Sequence, residues 1–262
     1  MVKNILLKIA YDGAGFHGYQ YQEGFRNVES EVKRAINKVT GEDNRIIAAG
    51  RTDAGVHAYA QYINFLTATN INPKAFKYHL DPFLADDILA LESMEVDLSF
   101  HARFSAKSKT YKYIINRDRV MHPIYRNYMT QVTYPLDLEK IADGLDILKG
   151  EHDFKAFMRA DKDLKINTIR KIDDCYYEED NKMLIIYFKA NSFLHNQVRI
   201  MVGSLIELGR GRLSISDFKN YFDADNDKRA NPALGPSGLY LWSIDYELSL
   251  IHISEPTRPR LI

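Results

Sequence analysis

Arg45-Ile46-Ile47-Ala48-Ala49 and Tyr59-Ala60-Gln61-Tyr62-Ile63-Asn64-Phe65-Leu66 flank the loop Gly50-Arg51-Thr52-Asp53-Ala54-Gly55-Val56-His57. The flanks are apolar, β-branched or aromatic, and each reads as a strand; the loop is punctuated by glycines. Upstream, Ile5, Leu7 and Ile9 alternate with Leu6, Lys8 and Ala10, which predicts a first strand buried on both faces. Asn27 can cap a helix carrying Val28, Val32, Ala35, Ile36 and Val39 at helical spacing, and Gly41 ends it. Downstream come a short helix around Pro73 to Leu84 and a strand around Ile88 to Val96. The resulting order, β-α-β-β-α-β, points to an α+β fold.

A second half repeats that rough alternation. Thr110 to Asn116 reads as a strand, and Leu138, Ile141, Leu145 and Leu148 mark a helix. Strands Thr168 to Tyr177 and Met183 to Ala190 form a hairpin turning at Glu178 to Asn181. Val198 to Leu208 is a helix stopped by Gly209 and Gly211, and Gly238 to Glu247 is the last strand. We therefore expect two lobes, 1–105 and 106–247, with a mostly antiparallel sheet flanked by helices and a basic cleft between them. Residues 248–262, LSLIHISEPTRPRLI, continue no periodicity and read as translated adapter sequence, which predicts a non-native, disordered tail.

At 262 residues the chain can bury a sizeable core, and 45% hydrophobic with 27% charged residues is the balance of a globular protein, not a disordered one. No apolar run reaches the roughly 18 residues of a membrane span, and the N-terminus lacks the features of a secretory signal. One cysteine, Cys175, excludes an intramolecular disulfide and a thiolate metal cluster. A cytoplasmic location is expected. The 35 basic and 35 acidic residues cancel, yet Ser99 to Arg126 holds Arg103, Lys107, Lys109, Lys112, Arg117, Arg119 and Arg126 against Asp118 alone. Phe104, Tyr111 and Tyr113 interleave with these cations, a composition that suits single-stranded nucleic acid and equally suits a solvated edge strand.

Gly13-Ala14-Gly15-Phe16-His17-Gly18 matches a dinucleotide fingerprint after a strand, but its last glycine does not open a helix, so no helix terminus awaits a pyrophosphate. No histidine pair has zinc-ligand spacing, and no G-x-S-x-G elbow occurs. Neither a metal nor an organic cofactor is expected. His17, His57 and His195 read as structural supports. In the 50–57 loop, Asp53 sits where flanking glycines admit a substrate backbone, and Arg51 is placed to pair with it and keep it charged. The same spacing also fits a purely structural Arg–Asp turn. Arg199, in the opening turns of the second-half helix, either faces a cleft or lies on an ordinary amphipathic surface.

These segments together resemble the tRNA pseudouridine synthase A family over Met1 to about Glu247. The matching residues are Tyr11-Asp12-Gly13 through Phe16, Gly18, Gln20 and Gln22; Gly50 through His57; Phe100 through Ala106; Tyr111-Lys112-Tyr113; and Gln197-Val198-Arg199. Pro232 through Leu239 fits the family's final motif loosely. The resemblance implies a pseudouridine synthase fold and isomerisation of uridine to pseudouridine at tRNA positions 38 to 40. By the motif match, Asp53 would be the nucleophile, Tyr111 would stack on the target base, Arg199 would pair with Asp53, and Arg51 would support the loop or hold phosphate. It further implies tRNA as partner and a homodimer. A noncatalytic tRNA-binding module on the same fold is the competing reading.

Overall fold

The computed structural model describes residues 1–159, 166–223, 228–230 and 232–247. The tail expected at 248–262 lies outside them. The strands are β1 (Lys3–Tyr11), β2 (Ile46–Ala48), β3 (His57–Thr67), β4 (Ile88–Val96), β5 (Ala106–Asn116), β6 (Thr130–Gln131), β7 (Gly150–Asp153), β8 (Ile169–Asp180), β9 (Met183–Ala190) and β10 (Leu239–Tyr246). The helices are α1 (Val28–Thr40), α2 (Phe76–Leu80), α3 (Leu138–Leu148), α4 (Gln197–Gly209) and α5 (Ile215–Lys219). The fold is α+β, as the alternation predicts.

The strands form one sheet in the order β4-β1-β3-β10-β5-β9-β8-β7, with β2 on β3 and β6 on β5. All pairs are antiparallel except β10 with β3 and β6 with β5. The last strand thus joins the halves: Leu241 lies opposite Tyr111 of β5 and opposite Ala58 of β3. The expected boundary at 105/106 falls in the connection from β4 to β5.

Local chemistry explains the elements. The Asn27 side chain accepts from the Ser30 amide to open α1, and Gly41 closes it at φ 72°, a conformation glycine adopts freely. β1 is paired along both edges, with β3 and β4, and the successive residues Ile5, Leu6 and Leu7, which point to alternate faces, are all buried. In α4, every residue except Arg199 and Glu207 is buried, the pattern of a helix surrounded by protein on all sides.

Three expectations are corrected. The segment Pro73 to Leu84 splits into the five-residue α2 flanked by short 3-10 turns, and Pro82, which has no N–H to donate, prevents α2 from continuing. The hairpin turns later than expected: Asp180 pairs with Met183, leaving Asn181 and Lys182 as a two-residue loop, with Asn181 at φ 55°. Asparagine tolerates that region, so the charged residues before it extend the strand. The third concerns the basic segment. Strand alternation separates its members. Tyr113 is fully buried and donates to the Gly235 carbonyl at 2.6 Å, so it offers no free ring face. Lys112, opposite in direction to Tyr111, lies over Trp242 at 4.4 Å. Lys107 pairs with Glu247 and Arg117 with Glu179. What reads as one patch is distributed over two faces.

Among the described residues no helix is long and apolar enough to cross a membrane.

Candidate active site

The loop before β3 is held by the Gly13 to Tyr19 segment. The Tyr19 amide donates to the Thr52 carbonyl at 3.0 Å, and the Gly55 amide to the Phe16 carbonyl at 3.2 Å. Tyr11 and Thr52 share a buried hydroxyl hydrogen bond of 2.8 Å, while burial pushes the Tyr11 phenol up to about 12. A Cβ on Gly13 would overlap the Val56 carbonyl, and one on Gly18 would meet the Thr52 carbonyl at 3.0 Å. Two of the three glycines that mimic a dinucleotide fingerprint, Gly13 and Gly18, therefore serve close backbone packing against the Asp53 loop.

His57 is one of the supports. Its Nε2 faces the Asn127 carbonyl at 2.7 Å and must donate there, so Nδ1 accepts from the Gly13 amide at 3.0 Å. Both bonds are satisfied by neutral imidazole. Burial correspondingly holds its pKa below the usual histidine value, although Asp12 lies 3.1 Å from Nδ1 and opposes that shift.

Asp53 projects from this loop with its side chain 25% exposed. Its Oδ2 lies 3.5 Å from Arg199 Nη1, and its Oδ1 lies 3.4 Å from His195 Nε2. Arg199 is the more enclosed cation, 17% exposed against 56% for His195. It is also fixed from behind: Nε donates to the Leu234 carbonyl at 2.7 Å and Nη1 to Asn196 Oδ1 at 3.0 Å. Asn196 precedes α4 at φ 62°, a left-handed conformation that asparagine accommodates. Arg199 is thus a cleft arginine, not one on a solvated surface.

Tyr111 projects from the middle of β5 and meets Phe193 edge-on, with ring centroids 5.1 Å apart. Burial drives its phenol pKa upward, with smaller contributions from Tyr11 and the Asp53 carboxylate. Its hydroxyl makes no hydrogen bond among the described residues.

Asp53, Arg199 and Tyr111 therefore converge from three distant stretches of chain. Arg51 does not join them. It is exposed and forms no ion pair or side-chain hydrogen bond among the described residues, so the expected Arg51–Asp53 pair is replaced by Arg199 and His195. The chain leaves Gly50 with Arg51 turned to solvent and Thr52 buried on Tyr11. His195, read as a support, is a direct neighbour of Asp53. Its position just before α4 was the available signal. Leu234 gave none, because a backbone carbonyl has no side-chain signature.

A partly exposed carboxylate faced by two cations, on a loop of one mixed sheet, marks the candidate site of this α+β protein. The particular family follows from comparison. A family model described as tRNA pseudouridine synthase matches residues 8–105 and 146–247. A Finegoldia magna protein named tRNA pseudouridine synthase A is 41% identical over 245 residues, covering 94% of this chain and 100% of the relative. Proteins of the same name from Thermoanaerobacter sp. strain X514 (40% identical; 94% of this chain, 100% of the relative) and Listeria welshimeri (41%; 91% and 97%) are similar throughout. The chain belongs to the tRNA pseudouridine synthase family.

Proposed function

We propose that this protein converts uridine to pseudouridine in tRNA, at positions 38, 39 or 40 of the anticodon stem-loop, with Asp53 as the nucleophile. The observation that carries the reading is the partly exposed Asp53 carboxylate, held in a glycine-flanked loop and faced by Arg199 at 3.5 Å. The reaction is an isomerisation. The N1–C1′ bond breaks, the uracil turns, a C5–C1′ bond forms, and the C5 proton is exchanged for one on N1, with no net oxidation. The target base must leave its stack to reach a carboxylate recessed in the fold. Attack by Asp53, on ribose C1′ or uracil C6, divides the exchange into two easier steps.

Arg199, anchored by Leu234 and Asn196, orients the carboxylate, and Tyr111 supplies a ring against which the extruded base packs. Arg51, exposed beside Asp53, is free to engage backbone phosphate. The two halves, 1–105 and 106–247, act as lobes on either side of this cleft. A cytoplasmic homodimer completes the reading.

Asp53→Asn keeps shape and removes the nucleophile. We expect pseudouridine, read by mass spectrometry of tRNA after chemical labelling, to vanish while tRNA affinity stays within a few-fold of wild type. Undiminished product would eliminate Asp53 from the role. Product absent from wild type, with tRNA still bound, would favour a noncatalytic tRNA-binding module.

A further inference from the structure

Most lysines on the sheet have acidic partners. Lys8 pairs with Glu92, Lys107 with Glu247, Lys171 with Asp173 and Lys189 with Asp245. Lys109 has none: among the described residues its ammonium makes no ion pair and no hydrogen bond. It stands on β5 two residues before Tyr111, so alternation puts both side chains on the same face of the sheet.

Its stem lies along the start of the Asp53 loop. A Cβ placed on Gly50 would meet Lys109 Nζ at 3.6 Å, Cε at 3.9 Å and Cδ at 4.0 Å. The Gly50 carbonyl accepts from Gln61 Nε2 at 2.8 Å and makes no hydrogen bond with the ammonium. The charge felt at Lys109 is a like one, Arg103, which is itself exposed and unpaired among the described residues. Burial first, and Arg103 second, lower the Lys109 amine to about 8. A half-buried cation with a cation for neighbour lowers stability in the free protein, and a bound anion reverses that cost.

We propose that Lys109, resting over Gly50 with Arg103 beside it, binds a backbone phosphate of the RNA next to the nucleotide presented to Asp53. The site rests on the reading of this protein as a tRNA-modifying enzyme. The stem lies within van der Waals reach of position 50, which puts the ammonium beside the start of the loop. A phosphodiester held there fixes the strand two residues along β5 from Tyr111. Lys109 is accordingly a positioning residue. It acts through the strand it holds.

The test uses the full chain and unmodified tRNA. Lys109→Met keeps the apolar stem and removes the charge; Lys109→Arg keeps the charge; Arg103→Gln alters an exposed side chain that has no part in the core. Filter binding across a series of KCl concentrations gives the slope of log Kd against log salt, and single-turnover assays give rates at saturating tRNA. One lost phosphate contact flattens the slope by about 0.7–0.9. We expect that change in Lys109→Met and in Arg103→Gln, with the saturated rate reduced by much less than the affinity, and wild-type slope in Lys109→Arg. Wild-type slope in both charge-removing variants would overturn the site while leaving the proposed function standing. A wild-type protein that neither binds tRNA nor forms pseudouridine would overturn both.

Discussion

Two cations face Asp53, and protons distinguish them. Arg199 remains charged at every physiological pH, whereas His195 titrates. The hydrogen bond to Asp53 raises the His195 pKa above its ordinary 6.5, with burial opposing. The imidazolium form therefore persists above 6.5 and disappears as pH rises through the raised value. Its contribution to stability follows the same course and is small, because the ring is more than half exposed. On the proposed mechanism its effect on chemistry is larger. There a protonated His195 competes for the lone pairs with which Asp53 would attack. The single-turnover rate should climb with pH through the window just above 6.5, and His195→Gln should raise the rate at the acid end relative to its own plateau. Coincident pH profiles for the two proteins would remove His195 from the site's acid–base behaviour. Cys175 needs no such consideration: its thiol donates to the Leu145 carbonyl at 3.1 Å and burial pushes it up to about 12.

At the scale of elements, the 50–57 loop is held in place by a second stretch of backbone. Gly13 to Tyr19 lines its underside through backbone contacts so close that a methyl group is excluded at Gly13. Gly13→Ala must push the Val56 carbonyl and with it the loop. Overpacking of this kind costs about 1–3 kcal/mol, and at this chain length each kcal/mol lowers Tm by roughly 2–4 °C. Differential scanning calorimetry should record that drop, together with a fall in pseudouridine yield at temperatures where the variant is still folded. An unchanged Tm would mean that the loop and the glycine segment move independently.

For the whole molecule, the decisive feature is the location of β10. It enters last in sequence and lies in the middle of the sheet, so neither half closes its own edge. Leu241 is fully buried at this seam. Leu241→Ala should cost ~2–5 kcal/mol, and because its strand neighbours belong to both halves, calorimetry should show one transition displaced to lower temperature. Two separate transitions, one of them unmoved, would show that the lobes unfold independently and that the sheet is not the cooperative unit.

The sequence carried most of the elements and singled out Asp53. Periodicity marked α1, α3, α4 and most strands, because amphipathic patterns are local. The loop around Asp53 declared itself by glycines flanking a carboxylate, and the motif order supplied the family. Local pattern was also where reading failed. The run from Ser99 to Arg126 suited either a nucleic-acid surface or a solvated edge strand, but β5 lies inside the sheet between β10 and β9, alternate residues go to opposite faces, and pairing with Glu247 and Glu179 removes two of the charges. Arg51 was the nearest cation along the chain; the backbone turned it to solvent. What faces Asp53, Arg199 and His195, comes from about 140 residues away in sequence, held by a carbonyl at Leu234 that no residue type betrays. A sequence determines local conformation and the identity of reactive groups. Which charges meet is decided when β10 joins the two halves into one sheet, because the field at a carboxylate depends on distances of a few ångströms across the fold, not on separation along the chain.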